Sequence, residues 1–239
     1  MIRNLFILLT IIVSGLVNAQ NNDEAIVVME LFTSQGCSSC PPADELLDAI
    51  KKSYEKDNVY VLSYHVDYWN RLGWKDPFSD VSFSDYQRDY AQQFNSRSIY
   101  TPQLVVNGSE HFTGSNSTKA LAAIRNYSKS KRTNTIKFIK PKRENNKITL
   151  TYNVEGASFD QITIALVVSE RITEIGRGEN RNRTLKNTNI VANRLVKMDT
   201  TGSVMLSVPD WIDPNDELSI IAYTQNNKLV TMGASKISI

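Results

Sequence analysis

The sequence predicts an α/β unit over residues 24–130 followed by an all-β, sandwich-like unit over residues 133–239. Three observations predict it. A Cys-x-x-Cys pair, Cys37 and Cys40, stands where a β-branched apolar run gives way to a helical pattern. A second apolar, aromatic strand follows that helix, which is the order of a right-handed parallel crossover. From about Thr133 the helical period disappears and short alternating strands separated by turn signals take over.

In chain order, Ala25-Ile-Val-Val-Met29 reads as a buried strand, and Leu46, Leu47, Ile50 and Tyr54 recur at helical spacing behind the cysteines. Pro42 disfavours helical geometry at Pro41, so the regular helix is expected to start at Pro42, its favoured first position. Asn58 to Trp69 forms the second strand, placing His65, Asp67 and Trp69 at its carboxyl end, the sheet edge where open α/β sheets bind ligands. Asn70 to Phe78 mixes aromatic and polar residues and reads as a loop lining that edge. Ser82 to Phe94 is an amphipathic helix. Thr101-Pro102 precedes an apolar strand that ends at Asn107-Gly108, a hairpin signal, and a helix from Thr118 to Asn126 closes the unit. In the second unit, strands are expected at 147–154, 161–168, 203–208, 217–224 and 228–232, with Asn226-Asn227 turning between the last two.

The N-terminus has Arg3, an apolar core from Leu5 to Val13, and Val17-Asn-Ala19 before Gln20. That is the pattern of a signal peptide over residues 1–19, cleaved near Ala19, which makes the mature protein exported, periplasmic or secreted. The apolar stretch is too short to span a bilayer comfortably, so no stable membrane insertion is expected. What remains exceeds the ~100–150 residues of a common single domain. A net charge of +2 argues against a nucleic-acid or anionic-membrane partner.

Cys37 and Cys40 are the chain's two cysteines. A bridge across two intervening residues closes a tiny loop and constrains little of the unfolded chain, so stapling is poorly rewarded. Near a helix N-terminus, unpaired N–H groups and the positive dipole end favour a thiolate. Cys37 is therefore the expected exposed nucleophile and Cys40 the resolving thiol. The corresponding function is thiol–disulfide exchange with a cysteine-containing protein or a small thiol, without a cofactor. The alternative is extracytoplasmic copper or zinc handling through Cys37, Cys40 and His65, with Asp67 on the same strand face as His65; His111 is expected in a hairpin away from the site. Between Glu170 and Asn189 lies a polar stretch, Gly176 to Thr184, with two readings: a solvated hairpin tip, or a loop whose Arg177, Glu179 and Arg183 reach the cysteine cleft. It lacks the Gly-x-Gly-x-x-Gly and Lys-Ser/Thr features of a phosphate loop.

The element order, with Cys-x-x-Cys, Thr-Pro and Asn-Gly at their places, resembles the thioredoxin fold. That resemblance implies a thioredoxin-like α/β domain at the N-terminus, a cis Thr101–Pro102 bond facing the disulfide, and a substrate groove containing Thr101 and Pro102. Trp69, Tyr100 and Arg177 are the further substrate-binding candidates. It also implies a buried acid that serves the resolving thiol. Glu30 is the candidate, either as general base for Cys40 or as a carboxylate holding the loop, one residue farther from the first cysteine than the pattern has it, with Gly36 available to absorb the extra residue as a bend. More narrowly, Glu30 to Asp44, His65-Val-Asp-Tyr-Trp69, Leu72 to Phe78, Tyr100-Thr-Pro-Gln103 and Gly178-Glu-Asn-Arg181 are similar to a bacterial secreted family catalogued as domain of unknown function 1223, which brings no established substrate.

Overall fold

Two parallel strands, β1 (Val27–Thr33) and β2 (Val59–His65), lie side by side with Val27 opposite Val59 and Thr33 opposite His65. The crossover between them is α1 (Pro41–Ser53), whose apolar stripe of Ala43, Leu47 and Ile50 packs on Val27, Met29 and Leu31. This computed structural model describes residues 25–239; the expected signal peptide lies outside the described residues. Helix α1 starts at Pro41, one residue earlier than expected, with Cys40 as its N-cap. The first N–H groups of a helix have no internal partner, so two successive prolines there remove nothing the helix uses.

Helix α2 (Val81–Gln93), capped by the Asp80 side chain on Ser82 N–H, covers the opposite face of β1 and β2 through Phe83, Tyr86 and Tyr90. Strands β3 (Gln103–Val106) and β4 (Glu110–Thr113) form a hairpin. Its loop is three residues, Asn107 to Ser109, between the paired Val106 and Glu110. Asn107 and Gly108 both have positive φ, 48° and 61°, in a turn closed by Ser109 N–H to Val106 O. A Cβ on Gly108 would also meet Leu229 O at 1.8 Å. Helix α3 (Ser117–Tyr127) packs beside α1.

The remaining strands are β5 (Asn134–Glu144), β6 (Lys147–Gly156), β7 (Gln161–Glu174), β8 (Thr184–Lys197), β9 (Thr201–Ser207), β10 (Leu218–Gln225) and β11 (Thr231–Ser238). Four of them join the first group. A single eight-stranded mixed sheet runs β11-β10-β7-β8-β2-β1-β3-β4, and β5-β6-β9 form a second, antiparallel sheet. The small sheet turns Ile148, Leu150, Tyr152, Val204 and Leu206 onto Ile162, Ile164, Leu166 and Ile220 of the large one, closing the largest apolar cluster.

The expected thioredoxin-like α/β domain followed by a separate sandwich-like β domain is therefore corrected. The described residues are 44% strand and 19% helix, and one mixed sheet runs through both halves of the chain. The physical cause is β8. It lies parallel to β2, with Ser63 opposite Ile190 and Asn189 Nδ2 donating to Val61 O, and so covers the edge that a self-contained α/β unit would leave bare. No strand was expected over β5 or β8, and β7 runs six residues past its expected end. In β8 the consecutive buried residues Asn187, Thr188 and Asn189 hide the apolar alternation that marks a strand.

Candidate functional site

The carboxyl ends of β1 and β2, the start of α1, the 69–78 segment, the Thr101–Pro102 turn and the tip of the β7–β8 hairpin converge on the cysteines. Cys37 and Cys40 form a disulfide with Cα atoms 5.4 Å apart. Both residues are 0% exposed, whereas Ser38 and Ser39 between them face solvent. The expected exposure of Cys37 is thus corrected. It sits in the turn before the helix, held by Cys37 N–H to Ser34 O and Cys40 N–H to Cys37 O.

The two sulfurs have different surroundings. Thr101 Oγ1 donates to Cys37 Sγ at 3.2 Å, and Ser39 Oγ lies 3.3 Å from the same sulfur. Trp69 Nε1 donates to Thr101 Oγ1 at 2.8 Å, so the single hydroxyl proton of Thr101 is left for the sulfur. The Thr101–Pro102 peptide is cis. Among the described residues the sulfur of Cys40 meets no such donor. It stands at the N-cap of α1, one turn before Asp44, whose N–H donates to Cys40 O.

Asp44 is the acid that sequence reasoning missed. Burial drives its carboxyl up to about 7, against the downward pull of His65 and of the Thr33 hydroxyl, which donates to Oδ2 at 3.1 Å. The Asn187 amide also pulls it down without forming a good hydrogen bond: Asp44 Oδ1 and Asn187 Nδ2 are each buried without a partner of proper geometry. An acid in the first turn of a helix ordinarily reads as a dipole partner, so the sequence carried no sign of its burial.

Glu30 lies elsewhere. Strand residues alternate faces. Val28 and Phe32 belong to the α2 side and Val27, Met29 and Leu31 to the α1 side, so Glu30 faces α2. There it accepts hydrogen bonds from the hydroxyls of Tyr86, Tyr90 and Tyr223. Burial raises its carboxyl while those hydroxyls and Arg194 oppose the rise. The one-residue offset noted in the sequence is enough to turn the side chain to the other side of the sheet. Gly36 has no left-handed backbone; a Cβ there would lie 3.2 Å from Trp69 Cβ, so its small size lets the 69–78 segment close on the cysteine turn.

His65 is buried at the end of β2, with Nδ1 2.7 Å from Asp76 Oδ2 and Nε2 3.3 Å from Ser63 Oγ. Burial lowers its pKa, but Asp76 overrides this and the net shift is upward; Asp76 is correspondingly held low. With both ring nitrogens engaged, His65 does not complete the Cys37–Cys40–His65 metal set. Among the described residues no group of three His, Cys, Asp or Glu side chains is placed to hold a metal ion. Asp67 turns to Ser84 Oγ. His111, on β4, meets the Tyr100 hydroxyl at 2.9 Å, which ties Tyr100 to the β3–β4 hairpin, while Tyr100 O accepts from Gln87.

The 176–184 stretch is the tip of the long β7–β8 hairpin and it does face the cysteines. Asn180 Nδ2 donates to Gln35 O and Cys37 O, both at 2.9 Å, and Glu179 Oε2 accepts Ser38 N–H at 3.1 Å. Arg183 supports Asn180 Oδ1 at 3.0 Å. Arg177, at the same tip, is exposed. Gln35 is the hub of this roof: its N–H goes to Asp76, its Nε2 to Asn187, and its Oε1 accepts from Trp74. Gly178 (φ 74°) lets the tip approach Trp74, whose Cβ would be 3.1 Å from an added methyl. A polar cleft of about 620 Å3, lined by Lys51, Lys56 and Lys236, lies at the opposite end of α1 and contains none of these groups.

No curated protein matches this chain. A crystal structure of protein AGR_C_4864 from Agrobacterium tumefaciens is similar at 25% identity and a TM-score of 0.63, covering 90% of this chain and 95% of that one. A DUF3823 family protein from Bacteroides ovatus matches at 16% identity and a TM-score of 0.28 over 45% of this chain and 54% of its own, too weak a likeness to argue from. The family model described as protein of unknown function (DUF1223) matches residues 28–225. The chain, with its roofed Cys37–Cys40 disulfide, belongs to the DUF1223 family.

Proposed function

We propose that the protein is a thiol–disulfide oxidoreductase acting through Cys37 and Cys40. The observation that carries this reading is the asymmetry of the two sulfurs. Cys37 has an oriented hydroxyl donor, suited to stabilising a thiolate. Cys40 has a buried acid one helical turn away whose pKa of about 7 suits proton exchange with a thiol near neutrality. A bare structural staple needs neither.

In the oxidising direction, local opening first uncovers Cys37 Sγ, which is buried in the closed form. A substrate thiolate then attacks it and the Cys37–Cys40 bond breaks. A mixed disulfide forms, and Cys40 leaves as a thiolate that takes a proton from Asp44. A second substrate thiol, deprotonated, attacks the substrate sulfur of the mixed disulfide and releases Cys37, where the Thr101 hydroxyl stabilises the departing charge. Two electrons pass from the substrate dithiol to the protein, and the reductive direction is the reverse. The apolar leader ending near Ala19 supports an exported setting for this exchange.

Trapping tests the reading. With Cys40→Ser, oxidised glutathione should convert Cys37 to a stable mixed disulfide, a gain of one glutathione by mass. Wild-type protein, once reduced, should return to its internal disulfide. Failure of Cys37 to form a mixed disulfide under conditions where free cysteine does so would sink the proposal.

A further inference from the structure

We propose that Asn180 is a positioning residue for the dithiol, fixing the cysteine turn in the shape that the disulfide needs; this rests on the redox reading above. The side chain is fully buried and comes from the β7–β8 tip, 143 residues along the chain from Cys37. One amide group donates to two carbonyls, Gln35 O and Cys37 O, on either side of Gly36. Both bonds can form together only while the turn is curled so that the two carbonyls converge. The Cys37 carbonyl is also the acceptor that closes the Cys37–Cys40 turn through Cys40 N–H. Asn180 therefore grips the atom on which the separation of the two cysteines depends.

Reduction breaks the S–S bond and adds two electrons and two protons, supplied by two glutathione thiols that leave as one glutathione disulfide. The sulfurs then move from bonding to van der Waals separation and the turn relaxes. A clamp matched to the curled turn stabilises the oxidised form more than the reduced one, so it lowers the reduction potential. Glu179 on Ser38 N–H adds a second tie from the same tip, and Arg183 keeps the Asn180 amide from rotating by donating to its Oδ1.

The test is the equilibrium of full-length mature protein with reduced and oxidised glutathione, for wild type, Asn180→Ala and Arg183→Ala. Asn180→Ala should shift the equilibrium constant about tenfold towards the dithiol, a change of roughly 30 mV. Arg183→Ala should shift it the same way by less. Thermal unfolding of each variant in both redox states should show the oxidised form losing more than the reduced form. An unchanged equilibrium constant, with both forms destabilised equally, would overturn the inference and leave Asn180 as an ordinary loop anchor. If Asn180→Ala does not fold, Arg183→Ala carries the same test, and no shift there overturns the inference. The wild-type potential judges the redox reading itself, so failure of that reading and failure of the clamp are read from different numbers.

Discussion

Thr101 Oγ1 donates to the sulfur of Cys37 across 3.2 Å, and it does so with its one proton because Trp69 Nε1 already fills its acceptor side. A hydrogen bond to a charged group contributes roughly 1.5–3 kcal/mol, which is about one to two pKa units on the thiol. In reduced protein, Thr101→Val should raise the Cys37 pKa by that amount, and Trp69→Phe should raise it less. The pH dependence of Cys37 alkylation reads both. Equal pKa values in wild type and Thr101→Val would remove the hydroxyl from the mechanism.

Asp44 predicts a pH-dependent stability. Its carboxyl is raised from 3.8 to about 7 by burial, so the folded state binds a proton that the unfolded state has released. The resulting stability is fully present below about pH 4 and is lost as pH rises to about 7. At 1.36 kcal/mol per unit the loss is at most about 4 kcal/mol. Asp44→Asn should flatten the profile over that window and be more stable than wild type above it. It should also slow release of Cys40 near neutrality. Urea midpoints from pH 4 to 8 check the first point; a parallel displacement of the two curves would contradict it.

The His65–Asp76 pair has the opposite sign on its two members. The raised His65 contributes stability present below its ordinary pKa of 6.5 and lost as pH climbs through its folded value. The lowered Asp76 contributes stability present above 3.8 and lost in acid. Asp76→Asn strands a buried histidine and also weakens the anchors for Gln35 N–H and Phe78 N–H. A loss of about 3–5 kcal/mol is expected by urea denaturation.

Glu30 separates structure from chemistry. Glu30→Gln should lower stability, because three tyrosine hydroxyls lose their carboxylate acceptor, and should leave the cysteine potential within about 10 mV of wild type. A large potential shift would restore Glu30 to the redox site.

Much of the site was legible in the sequence. The Cys-x-x-Cys pair between strand and helix, the Thr-Pro before β3 and the polar 176–184 stretch all converge. What the sequence hid has physical causes. Asp44 and Asp76 differ from surface acids only by burial, which depends on strands far along the chain. Glu30 looked suitable because its type was right, but strand alternation turned it away. The sheet was misjudged because β8 buries Asn187, Thr188 and Asn189, side chains that composition assigns to loops. Their burial is tolerable because the strand borders a polar network: Thr188 Oγ1 receives Lys51 Nζ, and Asn187 Oδ1 receives Gln35 Nε2.

The measurement that bears most directly on the central claim is the Cys37–Cys40 reduction potential of metal-free mature protein, equilibrated against glutathione. A reversible couple between about −120 and −270 mV, the span of dithiol oxidoreductases, is the predicted result. A couple below about −300 mV would mark an inert structural bridge and contradict the account.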